Sequence, residues 1–146
     1  MELPKGINVD DVLEQMRVLE AAMDPAKADT PYAKIALAFA RALTERDFDR
    51  ANQMLAPSLR NDLTPAKLEH KYYRMISYAG KTTATDVSVG SVSDDWPSKE
   101  DSDVGWVYVG ISGPYPEGGV WNEAVAAVVS DSKGELLIRS VEWGRP

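Results

Sequence analysis

The chain has no cysteine among its 146 residues. Disulfides, thiolate nucleophiles and cysteine-ligated zinc are therefore excluded together. Long hydrophobic runs are missing too: no apolar stretch approaches the roughly 20 residues that span a bilayer. The opening Met1-Glu2-Leu3-Pro4-Lys5-Gly6 lacks the basic region and apolar core of a secretory signal. These absences fit a cytoplasmic protein with no membrane partner. Histidine is nearly absent, with His70 the single example. No catalytic or metal-binding motif stands out, and no cofactor is expected.

Positive charge is scarce, and unevenly so. The net charge is −7, from 16 Lys and Arg against 23 Asp and Glu. In residues 1–80 acids and bases nearly balance, whereas residues 81–146 hold most of the acidic excess. Such a surface repels phosphate backbones and argues against nucleic acid as a partner. It suits a basic protein partner, and it also keeps a small domain soluble. A length of 146 residues gives one domain with a core that needs no staples. Residues 1–29 read as a helical extension and 30–146 as the core.

Val9, Val12, Leu13, Met16, Leu19 and Met23 repeat at helical spacing behind an Asn8 cap, and Asp24-Pro25 ends that helix. Thr30-Pro31 opens a second helix with Tyr32, Ile35, Phe39 and Leu43 on its buried line. A third begins at Asp47, buries Phe48, Ala51 and Leu55, and stops at Pro57. Ser58–Leu63 reads as irregular or strand-like. Thr64-Pro65 starts a fourth helix, with Leu68, Tyr72, Met75 and either Ile76 or Ala79 inside and Gly80 as its terminator. From Thr82 the period becomes two, predicting strands near 85–92, 104–112, 120–130 and 135–143. Asp131-Ser132-Lys133-Gly134 turns the last two into a hairpin. Helices followed by an antiparallel meander make an α+β domain with the helices on one face of the sheet.

Ala38-Phe39-Ala40-Arg41-Ala42-Leu43, Arg46-Asp47-Phe48-Asp49-Arg50-Ala51, Met54-Leu55-Ala56-Pro57 and Leu63-Thr64 resemble the helical opening of nuclear transport factor two-like domains. The resemblance covers about residues 31–143 and leaves the first helix as an addition. It implies a strongly curved sheet covered by helices, a cone with a pocket at its mouth. Members resembling isomerases, cyclases or dehydratases use acid–base pairs inside the cone. Others are bacterial immunity proteins, to whose ending Ile138–Pro146 is similar.

Candidate chemistry is thin. His70 lies about 200° around the helix from both Leu68 and Tyr72, so it points to solvent. A four-residue hairpin turn sets Glu123 opposite Glu142, where mutual repulsion would raise one pKa. A single bulge would move Glu142 off that pair, and two exposed strand-end glutamates are the simpler reading. Arg139 either lines the cone or neutralises nearby acids. Phe39, Tyr72, Trp106, Tyr108, Trp121 and Trp143 complete a candidate apolar pocket, although core packing accounts for many such aromatics. Asp94, Asp95, Glu100, Asp101 and Asp103 lack calcium-loop spacing. Gly113–Gly119 joins two strands and is no phosphate loop.

Two functions fit this pattern. The leading one is a non-catalytic domain that holds a basic protein partner, as immunity proteins do. The alternative is a pocket for an apolar small molecule, with or without catalysis by a sheet carboxylate. Strands apolar on both faces also allow two copies to pair through the open face of the sheet.

Overall fold

The computed structural model describes residues 29–79 and 83–144. The helix expected at 8–23 and the Gly80 terminator lie outside the described residues. Helix α1, Pro31–Thr44, begins where Thr30-Pro31 places it: Thr30 Oγ1 accepts the Ala33 N–H at 3.4 Å. Proline costs nothing at the first helical position, because that N–H has no partner within a helix. Phe39 and Leu43 are fully buried, while Tyr32 and Ile35 are partly so. Ala33, Ala36, Ala40 and Ala42 are buried among them and allow close approach to the sheet.

The end of α1 is tightly wound. Arg46 takes a left-handed conformation, φ 63°, and donates its N–H to the Leu43 carbonyl at 3.1 Å. Asp47 donates to the Ala42 carbonyl at 2.8 Å, completing the double closure common at helix ends. The side chain of Asp47 then caps α2, Phe48–Gln53, by accepting the Arg50 N–H at 3.2 Å.

Pro57 does not simply stop this helix. It occupies the first position of a short helix α3, Pro57–Arg60, so the segment expected to be irregular or strand-like begins as a helical turn. The strand-like element lies just before it. Leu55 forms a parallel bridge with Ile138: the Ala56 N–H donates to the Ile138 carbonyl at 2.7 Å, and the Ile138 N–H to the Met54 carbonyl at 2.9 Å. Helix α4, Pro65–Met75, is capped by Thr64 Oγ1, which accepts the Lys67 N–H at 3.3 Å. It buries Leu68 and Tyr72, with Ile76 buried just beyond, and a 3₁₀ turn follows at Ser77–Ala79.

Strands β1 (Asp86–Ser93), β2 (Asp103–Pro114), β3 (Val120–Ser132) and β4 (Glu135–Trp143) form one antiparallel sheet in sequential order. Val107, Val109 and Ile111 of β2 and Trp121, Val125, Ala127 and Val129 of β3 are buried on the helical side. Burying each large aliphatic contributes about 1.5–3 kcal/mol. Helix α1 touches all four strands, whereas α4 rests on α2 and reaches the β4 end. The strongly curled wall of a cone is not what forms; the sheet stays an open four-stranded layer. One reason lies in the central ladder, which runs from Gly105 opposite Val129 to Pro114 opposite Val120 without a register shift. Bulges, which bend sheets, are displaced to the outer ladders and to the start of β2. None of the described helices is long and apolar enough to cross a membrane.

Gly105 marks the point where α1 meets β2. A Cβ there would overlap the Tyr32 ring. Gly105→Ala is expected to lower unfolding stability by about 1–3 kcal/mol in a denaturant titration. In a Tyr32→Ala background the same change should cost far less, because the obstructing ring is gone. Equal costs in both backgrounds would show that α1 does not seat there.

Candidate functional site

A cleft of about 760 Å³ opens between α4 and the far ends of β3 and β4. Leu63, Ala66, Met75 and Trp143 supply its apolar lining. Lys67, Lys71 and Arg74 extend along α4 at spacings of four and three residues, so one face of the helix forms a cationic rim with His70 beside it. Asp62, Glu123 and Gly144 complete the walls.

Glu123 is the acid that penetrates farthest. It follows Trp121 on the helical face of β3 and is only 8% exposed. The Tyr78 hydroxyl, from the 3₁₀ turn, lies 3.0 Å from Glu123 Oε2 and 2.9 Å from the Asn122 carbonyl. Glu123 Oε1 sits toward Gly144, where an added Cβ would come within 3.7 Å of it. A carboxylate held this way is an acceptor for an N–H or O–H entering the cleft.

The expected Glu123–Glu142 pair does not form. Lys133 and Gly134, with φ of 55° and 88°, make a two-residue turn, so Ser132 rather than Ser130 stands opposite Glu135. Asp131 Oδ1 accepts the Gly134 N–H at 2.7 Å and holds this tighter turn. That change alone would leave Glu142 facing the helices. A bulge at Arg139 then adds one residue to β4 and reverses which side chains face inward. Glu142 ends opposite Ala126, on the other side of the sheet from Glu123. By the same inversion Trp143 turns inward, its ring 6.5 Å from that of Phe39.

Of the eight candidate pocket residues, Glu123 and Trp143 line the cleft. Phe39 lies behind Trp143 in the core, and Trp121 is buried against Gly113. Tyr72 belongs to an aromatic group with Phe48 and Tyr73, at ring separations of 6.3 and 5.5 Å. Burial, reinforced by Tyr73 and opposed by Arg46, pushes its phenol up to about 12. Trp106 and Tyr108 are half-buried on the opposite face of the sheet, their rings 6.3 Å apart. The cationic face of α4 is the feature missed from the sequence, although Lys67, Lys71 and Arg74 already carry the helical spacing. Among the described residues, no three His, Asp or Glu side chains are grouped to hold a metal ion.

Arg139 turns instead to Asp103. Its Nε and Nη2 donate to Oδ1 and Oδ2, both at 2.7 Å, while Glu100 Oε2 lies 3.4 Å from Nε. The Glu100 N–H adds a bond to Asp103 Oδ2 at 2.8 Å. The Asp103 side chain is fully buried, and the Arg139 guanidinium holds its carboxyl below the usual carboxylate range despite burial. A depressed folded-state pKa means that this stabilisation is complete above about pH 4 and is lost as pH falls through the folded value. Asp103→Asn is expected to cost about 2–4 kcal/mol at neutral pH. Its deficit against wild type should shrink on acidification below pH 4. A deficit independent of pH would remove the ion pair as its cause.

No protein-family model matches the chain, and no curated protein matches it. Among solved structures, it is similar to Aln2 from a Streptomyces species at 14% identity. The alignment covers 99% of this chain and 94% of that one, with a TM-score of 0.49. A likeness this distant carries no functional argument.

Proposed function

We propose that this protein binds a small organic molecule in the cleft between α4 and the ends of β3 and β4, on a scaffold of the nuclear transport factor two-like type. The order of helices and strands supports that scaffold. The cleft itself carries the functional reading: its volume of about 760 Å³ is that of a small-molecule site. Its lining is apolar at Leu63, Ala66, Met75 and Trp143, with Glu123 as a convergent polar group. Filling the space should abolish binding without unfolding the protein. Ala66 is exposed at the lining, so Ala66→Trp is expected to weaken a neutral apolar fluorophore by about tenfold or more while circular dichroism stays unchanged. Unaltered fluorophore binding would place that ligand elsewhere.

Glu123 also supports an isomerase-, cyclase- or dehydratase-type use of the cleft. A carboxylate beside an apolar cavity can remove a proton next to a carbonyl if the substrate reaches it. Glu123→Gln is expected to reduce such proton exchange by about 100-fold or more while shifting the melting temperature little. Full activity in this variant would dismiss Glu123 as the base.

A basic protein partner is the second reading. Asp94, Asp95, Glu100 and Asp101 are exposed on the β1–β2 connection and would favour salt-sensitive association. A basic protein recovered from the native host at low salt, and released when Asp94, Asp95 and Asp101 are changed to Asn, would support it. Retention by that variant would count against this surface.

A further inference from the structure

We infer that the cleft selects an amphipathic organic anion: a carboxylate or sulfonate group at the α4 rim, attached to an apolar body that reaches Trp143. This rests on the small-molecule reading above and adds the ligand class. Lys67, Lys71 and Arg74 all line the cleft and are all exposed. Among the described residues, none of the three forms an ion pair. Three cations therefore stand together on a protein whose net charge is −7. Like charges on neighbouring turns of one helix repel, and an anion between them relieves that repulsion.

The cations of α4 fix the ligand's direction. Asp62 and Glu123 are the two carboxylates in its lining. Glu123 is held by Tyr78 at the sheet wall, and the three cations of α4 draw an anionic head to the opposite wall. Leu63, Met75 and Trp143 then receive the apolar body. A polar donor on the distal part of that body would meet Glu123. The charge arrangement gives the cleft two chemically different ends, and an amphiphile matches both.

Decanoate and decan-1-ol separate the ligand class from the pocket itself. They share a chain and differ in the charged head. In calorimetric titrations at low salt, decanoate is expected to bind about tenfold or more tightly than decan-1-ol, with the difference shrinking as salt is raised. Replacing Lys67, Lys71 and Arg74 together by Gln should bring the two affinities together, chiefly by weakening decanoate. These positions are exposed, and circular dichroism verifies that the variant folds. Equal binding of both probes to wild type would overturn the anion selection while leaving the pocket reading intact. Decanoate binding that survives the triple replacement would also overturn it. Failure of both probes to bind would overturn this inference and the small-molecule reading together.

Discussion

The backbone exchange between Ile138 and the Met54–Ala56 linker is the contact on which the arrangement of this domain depends. Ile138 points its N–H and C=O away from β3 and gives them to Met54 and Ala56. An edge strand that would otherwise expose unpaired groups is thereby covered along part of its length. The next residue, Arg139, is the bulge, so the partner of the linker and the inversion of β4 are adjacent in sequence. Before the bulge Ile138 faces the core; after it, Val141 and Trp143 pack on the same side. Without the added residue Trp143 would stand on the opposite face, and the cleft would lose its aromatic wall.

The linker also governs where α4 begins. Asn52 Nδ2 donates to the carbonyls of Arg60 and Leu63 at 3.0 and 2.7 Å. Arg60 Nη2 returns across the junction to the carbonyls of Gln53 and Leu55, each at 3.0 Å. These bonds satisfy backbone groups left over where short helices end. They also hold Leu63 at the mouth of the cleft, immediately before Thr64 caps α4. One side of the site is therefore placed through polar contacts between loops, and the other through strand register.

Much of this architecture is legible in local residue chemistry. Thr30-Pro31 and Thr64-Pro65 combine a hydroxyl acceptor with proline at a position needing no N–H, so both helix starts are determined within a few residues. Alternation in β2 likewise separates Val107, Val109 and Ile111 from Trp106 and Tyr108. Two of the three misread features depend on partners distant in sequence. Pro57 carries equally good signals for ending one helix and opening another, and the difference lies in Ile138 accepting the Ala56 N–H. Lys133-Gly134 could be read inside a longer turn because lysine rarely adopts positive φ; Asp131 stabilises that conformation here. The bulge at Arg139 has no periodic signal, since its arginine is drawn to a carboxylate 36 positions away. For the site, Glu123 and Trp143 are visible as residue types, but their meeting depends on that unseen insertion.

Strand alternation also separates two roles for charge. By strand alternation, Asp103 stands with Ser130 on the face opposite Glu123, where Arg139 clasps it. The strong internal ion pair is thus removed from the cleft, while the cations of α4 remain on the cleft side. The cleft has Glu123 on its sheet wall, Asp62 just before α4, and Lys67, Lys71 and Arg74 on the helix wall, with Leu63, Met75 and Trp143 between them. Strand register therefore decides which side chains close the cleft: without the added residue Glu142 would stand opposite Val125 on the cleft side, and Trp143 would stand on the other face.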